Sequence, residues 1–339
     1  MVKGAYLAAI IGAIVLSSAV FVHYQKSQSM TEFYPPQHVR DAFITYKAQH
    51  DKAYATPKEE AHRLMNFWKT YEKVRASNSA NKGYVSALNK FSDMAVEEFK
   101  AKYLGYRGKA QRSGEVDYSL LNAAAPANDV DWRTQTGVVT PVKDQKQCGS
   151  CWAFSTTGAA EGAAAIFGEQ SGMSFSEQQL VDCSSSFGND GCNGGLMENA
   201  FKYIHKNGIT TDDKYPYTAR DQSCKTKVGV FKVAGYKNVP EKSSGALAAA
   251  IAIQPISIAI EADEIMTYSS GVFDDTSCGR SLDHGVLLVG YTADSWIVKN
   301  SWGPSWGEKG FIRFSKKAVP DTKGGICGIL MDASFPHPR

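Results

Sequence analysis

"DQKQCGSCWAFS", residues 144–155, sets two cysteines three positions apart in front of a tryptophan. Such a pair can be a redox dithiol, half of a metal site, or two cysteines with unrelated duties. A thioredoxin-like Cys-x-x-Cys follows a strand inside a βαβ unit, whereas Cys148 and Cys151 follow the turn-rich "GVVTPVKDQKQ" with no such unit in view. Structural zinc needs a second closely spaced Cys or His pair, and Cys183, Cys192, Cys224, Cys278 and Cys327 do not form one. What remains is one bridged cysteine beside a free one. Cys151 suits the free role, because a helix begins there and the unpaired N–H groups and dipole at a helix N-terminus favour a thiolate.

A thiolate near neutral pH needs a base or an imidazolium partner. His23, His38, His50 and His62 lie in the N-terminal part, His205 sits in the helical "YIHKNG" and His337 in a Pro-rich tail. His284, in "SLDHGVLLVGY", opens an apolar strand, where an ionisable ring is out of place without a task; a satisfied core histidine is the bland alternative. Asn300, in "WIVKNSWGPSWG", offers an amide to orient the ring, with Trp302 able to shield that bond from water.

Working outward, the composition is that of a soluble globular protein, with 43% hydrophobic and 21% charged residues and a net charge of +3. No long basic run or aromatic-basic interleaving is present, so nucleic acid is dropped as a partner. Residues 1–125 carry 17 Lys and Arg against 11 Asp and Glu, and the remainder 20 against 23, so two oppositely biased parts could attract each other. Seven cysteines in an oxidising compartment leave one thiol over after three pairs. An apolar run at residues 4–22 follows Lys3 and reads as a signal peptide, with Ser17 and Ala19 near its end, or as an uncleaved anchor giving transient membrane association. The expected route is therefore secretory, ending in a lysosome, a digestive vacuole or outside the cell.

Helical spacing runs through about residues 35–80, with Pro57 placed to open the second helix. "GYVSALNKFSDM" alternates like a short strand, and "AVEEFKAKYLG" returns to helix. "RGKAQRSGEVDYSLLNAAAPAND" has little periodicity and reads as an exposed, protease-accessible linker. Beyond it come helices in "CWAFSTTGAAEGAAAIFGEQ", "SEQQLVDCS" and "LMENAFKYIHKNG", then strands in "PISIAIEA", "HGVLLVGYT", "DSWIVKNSW" and "KGFIRFSK". Helices first and strands later predict an α+β fold of two lobes with a cleft between them.

"QKQCGSCWAFS", "LDHGVLLVGY" and "KNSWGPSWGEKGF", in that order, resemble the papain-like cysteine peptidases of the cathepsin L group, whose signature is a Cys followed about 130–150 residues downstream by His and Asn. Glu59, Arg63, Phe67, Val74 and Asn78, then Asn89, Phe91 and Asp93, resemble the propeptides of that group, with departures at Thr70, where Asn is usual, and Ala87, where Gly is usual. The resemblance implies a papain-like two-lobed fold, a helical lobe at about 126–236 and a β-barrel-like lobe at about 237–339, preceded by an α-rich inhibitory propeptide at 23–125. It makes Cys151 the nucleophile, His284 its acid/base partner, Asn300 the orienting amide, and Gln145 with the Cys151 N–H the oxyanion hole.

It also pairs Cys148 with Cys192, Cys183 with Cys224 and Cys278 with Cys327, one of the 15 pairings that six cysteines allow. Substrate backbone would run beside Gly194 and Gly195, with Trp302 also lining the cleft. The pocket for the residue two before the attacked amide would be formed by Leu196, Met197, Ala259, Leu282 and Gly285, a preference for apolar residues. Asp332 either sits on that pocket's floor, adding a preference for Arg, or points to solvent. The expected partners are peptide and protein substrates and the chain's own propeptide, on a monomer with no metal or organic cofactor. A non-catalytic binding protein on the same fold, or an exopeptidase with a blocked cleft, are the other classes; the full Cys151, His284, Asn300 and Gln145 set speaks against the first, and the lack of a long insertion against the second.

Overall fold

In a computed structural model, described here for residues 34–108, 113–124, 128–168 and 170–337, periodicity becomes seven α-helices and ten strands. The expected leader at residues 4–22 lies outside the described residues. The chain divides into two compact units between Glu72 and Lys73.

In the first unit, α1 (Gln37–Gln49) and the start of α2 (Pro57–Ser79) present aromatic residues at helical intervals. Phe43 packs on Phe67 and Tyr54, and Tyr46 on Phe67, with ring centroids 4.9–6.0 Å apart. Pro57 is the first residue of α2, where its missing N–H costs nothing. Thr70, standing where Asn was expected, is buried and returns its hydroxyl to the Asn66 carbonyl, 3.1 Å away.

In the second unit, β1 (Tyr84–Ser86) and α3 (Val96–Tyr103) precede the short strands β2 (Glu115–Val116) and β3 (Val130–Asp131). Then come α4 (Cys151–Phe167), α5 (Glu177–Cys183) and α6 (Met197–Asn207), followed by β4 (Gly235–Asn238), α7 (Ser244–Ile251), β5 (Ile256–Ile260), β6 (Tyr268–Phe273), β7 (His284–Tyr291), β8 (Ser295–Lys299), β9 (Phe311–Ser315) and β10 (Ala333–His337). The helix α7 and the strands β4, β6 and β10 were not expected; α7 is apolar from Ala246 onward, so it carries no amphipathic signal.

The helix α4 is buried from Cys151 to Ala164, which its small residues permit. A Cβ on Gly158 would fall 2.7 Å from Leu287, and one on Gly162 2.6 Å from Pro255. One face of α4 meets α5 and α6, the other β7, so it joins the helical and sheet parts of the core. Strand order is β1-β6-β9-β8-β7-β5-β10-β4-β2, with β3 on β7. The sheet is open, not closed into the barrel the sequence suggested, and both its ends, β1 and β2, come from the N-terminal part of the chain.

The stretch read as an exposed linker is exposed at most of its described positions, yet it is also docked. Its longest described part, 113–124, adds β2 in parallel to β4 and then buries Leu120 in a 3-10 turn (Tyr118–Leu121) against α7. Short elements of this kind leave no periodic trace, because one strand pair and one leucine suffice to dock them.

Candidate active site

Cys151 is the first residue of α4, as the helical pattern required, and is the free cysteine among the described residues. Cys148 pairs with Cys192, Cys183 with Cys224 and Cys278 with Cys327. The first bridge ties the loop ahead of α4, where Gly149 N–H also donates to the Cys192 carbonyl at 2.9 Å. A brace therefore stands three residues before the thiol.

His284 opens β7 and Asn300 follows β8, which pairs with β7 antiparallel, so the sheet register brings them together. Asn300 Oδ1 accepts from Ser301 N–H at 2.8 Å and lies 2.9 Å from His284 Nε2. An oxygen accepting from that amide leaves Nε2 as donor, so the neutral ring keeps its lone pair on Nδ1. Nδ1 is buried and has no hydrogen-bond partner among the described residues. Trp302 stacks on the ring at 4.7 Å.

The Cys151 sulfur accepts from Gly285 N–H at 3.4 Å and from Gly105 N–H at 3.3 Å. Gln145, fully buried, donates from Nε2 to the Tyr103 carbonyl at 2.8 Å, while its Oε1 accepts from Ser301 Oγ at 2.7 Å. The chain after α3 thus lies across the site. A carbonyl occupies the Gln145 amide and a different group, an N–H, faces the sulfur, so nucleophile and amide do not converge on one carbonyl. Gly105 must be glycine here, since a Cβ would fall 1.8 Å from the Gly149 carbonyl oxygen.

Burial sets the electrostatics. It pushes the Cys151 thiol up to about 11, against the lowering effect of the Gly285 and Gly105 N–H groups. It draws His284 down to about 4, against the opposing bond to Asn300. Thiol and imidazole are both held neutral.

Tyr106 continues the strap. It bridges in parallel to Gly195, with Gly195 N–H donating to the Gly105 carbonyl at 2.8 Å and Arg107 N–H to the Gly195 carbonyl at 3.1 Å. Gly194 has φ +123, and a Cβ there would meet the Gly105 oxygen at 2.6 Å. The Tyr106 side chain is buried in one apolar cluster with Leu196, Met197 and Ala259, with Leu282 packed against it. A Cβ on Gly285 would come 3.2 Å from the Met197 sulfur. The Tyr106 hydroxyl donates to Asp332 Oδ2, and Asp332 is 4% exposed, so it faces Tyr106 and not solvent.

The sequence reading missed Gly105, Tyr106 and Ser301. The first two stand in "LGYRG" just after a helix, with nothing in their spacing to announce a cleft. Also missed was a buried ionic cluster beneath α4, in which Lys143 Nζ lies 3.0 Å from Glu161 and 2.6 Å from Glu177, and Lys299 donates to Thr140 at 3.0 Å.

A thiol and an imidazole closed over by their own chain describe a hydrolase precursor. Residues 126–337 match the model of the papain family cysteine proteases, and residues 43–99 that of the cathepsin propeptide inhibitor domain. The chain belongs to the papain family of cysteine proteases and is made as a zymogen with its propeptide as intramolecular inhibitor. It is 42% identical to a cathepsin L-like proteinase of Fasciola hepatica over 87% of this chain and 93% of that protein, and 46% identical to vignain of Vigna mungo over 82% and 80%. Among solved structures it is similar to digestive procathepsin L 3 from Tenebrio molitor larval midgut, with 39% identity, a TM-score of 0.78 and coverage of 89% of this chain and 100% of that one. Recombinant stem bromelain precursor matches with 34% identity, a TM-score of 0.80 and the same coverage.

Proposed function

We propose that residues 126–339, freed of the propeptide at 23–125, act as an endopeptidase through Cys151 and His284. With the strap gone, the imidazole takes the thiol proton and the thiolate attacks the substrate carbonyl carbon. The oxyanion is held by Gln145 Nε2 and the Cys151 N–H, a contribution of about 3 kcal/mol for such a donor. The C–N bond breaks as His284 returns the proton to the leaving amine, and water, deprotonated by His284, then cleaves the acyl-enzyme to a carboxylic acid and the free thiol. Asn300 orients the ring throughout, and Trp302 shields that bond.

Substrate backbone runs beside Gly194 and Gly195, and the residue two before the scissile amide enters the pocket of Leu196, Met197, Ala259, Leu282 and Gly285. Asp332 on its floor extends an apolar preference to Arg and Tyr, whose side chains can reach and donate to a carboxylate. The three disulfides fit a secretory route to a lysosome, digestive vacuole or the outside. A monomer is the expected form.

The observation that carries this reading is the strap itself, a Gly105 N–H on the Cys151 sulfur and a Tyr103 carbonyl on the Gln145 amide. The test is mass spectrometry after incubation with a peptidyl epoxide. A single adduct on Cys151 of the shortened chain is expected, with none on Cys151→Ser; adducts elsewhere, or on the full-length chain at equal rate, would refute it.

A further inference from the structure

The tail that follows the strap, residues 113–121, lies between the stretches that match the two family models, yet it is held by a dense set of contacts outside the cleft. Asn238 Nδ2 donates to the Ser113 carbonyl at 2.8 Å, and Lys202 Nζ lies 3.0 Å from Ser113 Oγ. Gly114, at φ +99, lies flat on Tyr236, where a Cβ would meet the ring at 2.6 Å. Glu115 and Val116 pair in parallel with Lys237 and Asn238, and Asp117 N–H donates to the Asn238 carbonyl at 2.9 Å. Lys237 Nζ then reaches Asp117 Oδ2 at 3.1 Å, and three residues on Leu120, 3% exposed, fills a recess against α7. The Ser119 hydroxyl, and to a smaller degree Lys237, hold the Asp117 carboxyl below its usual range.

Removing this tail leaves the outer edge of β4 unpaired, with Lys237 and Lys202 beside it and an apolar recess where Leu120 was. An unpaired edge with a charge and a pocket at fixed offsets is a template for adding a strand. We propose that maturation uncovers a second peptide-binding site, formed by β4 and α7, that takes a polypeptide which runs beside β4 as a short strand up to a carboxylate and then turns to bring a leucine, three residues later, into the recess. Its occupants are protein substrates that display such a strand, which the enzyme then holds at a point other than the scissile bond. The proposal rests on the zymogen reading above, because the site exists only where residues 113–121 have left.

The experiment uses the matured chain with Cys151 capped by an epoxide, its N-terminus fixed by mass spectrometry, and the labelled nonapeptide SGEVDYSLL, residues 113–121. Fluorescence anisotropy should show saturable binding to the matured chain and none to the uncut zymogen, whose own tail fills the site. Leu120→Ala or Asp117→Lys in the peptide should weaken binding tenfold or more. The proposal fails if no saturation is seen up to about 1 mM, if the altered peptides bind equally well, or if the zymogen binds as the matured chain does. An N-terminus ahead of Ser113 would also overturn it, since the edge would then never be bared. A chain that neither shortens nor takes the cap would refute the zymogen reading itself, which the mass distinguishes from a capped, shortened enzyme that fails to bind.

Discussion

Single residues carry the specificity argument. Asp332 is buried and accepts from the Tyr106 phenol, a donor side chain that the chain itself supplies. Asp332→Ala should lower kcat/KM for Arg-Arg dipeptidyl reporters about ten- to a hundredfold while leaving Phe-Arg reporters within a few-fold, because loss of a charge-assisted bond costs about 1.5–3 kcal/mol and an apolar contact does not depend on it. Equal losses on both reporters would place Asp332 in general packing instead. From sequence, the position of Asp332 relative to Cys327 suggested the pocket floor, but its direction could not be read; that depends on how β10 packs on β5.

At the scale of elements, inhibition depends on one glycine between α3 and the cleft. Gly105 approaches Gly149 so closely that a Cβ would sit 1.8 Å from a carbonyl oxygen, and backbone cannot yield as a flexible side chain would. Gly105→Ala should lift the strap from the sulfur. The expected result is activity appearing at least tenfold faster after purification at neutral pH, followed with a fluorogenic peptide, and an unchanged onset would count against the strap as the inhibitory element. The elements around it were partly legible. Asn78 and Asn89, picked out by resemblance, have different tasks: Asn78 ties β1 to α2 within the prosegment by bracketing Ser86 at 2.8 and 2.9 Å, and Asn89 Nδ2 donates to the Met266 carbonyl at 2.8 Å. Phe91 and Phe99 meet Trp302 edge-on, beside His284. The ion cluster of Lys143, Glu161 and Glu177 left no trace, since buried charges look like surface ones in a sequence.

Over the whole molecule, the opposite charge bias of the two halves becomes specific pairs: Lys73 with Glu264, Lys82 with Asp275, Lys90 with Asp144 and Lys100 with Asp263, at 2.5–2.8 Å. Asp283 lies beside the last of these. Burial pushes its carboxyl up to about 7, with Asp263 adding to the rise and the Ala262 N–H and Lys100 opposing it. A carboxyl raised in the closed state contributes stability that is full below its ordinary value near 4 and is lost as pH rises through 7. Asp283→Asn, made in an inactive Cys151→Ser zymogen, should therefore raise the melting temperature at pH 7.5 and raise it much less at pH 4.5, the difference corresponding to a few kcal/mol. An equal shift at both values would mean that Asp283 is not the titrating group.

What the sequence determined by itself was local or carried by residue type: the helix that begins at Cys151, the apolar strand that begins at His284, the odd cysteine, and the basic bias of the N-terminal part. These follow from periodicity, from the charges of side chains and from a thiol count, none of which needs a partner in space. Tertiary structure alone decided which way Asp332 faces, and that Gly105 and Tyr106 close the site. It also turned an apparent linker into a strand and a buried leucine. Such facts depend on pairings between distant segments, and a pairing made by two or three residues is too short to leave a period in the chain.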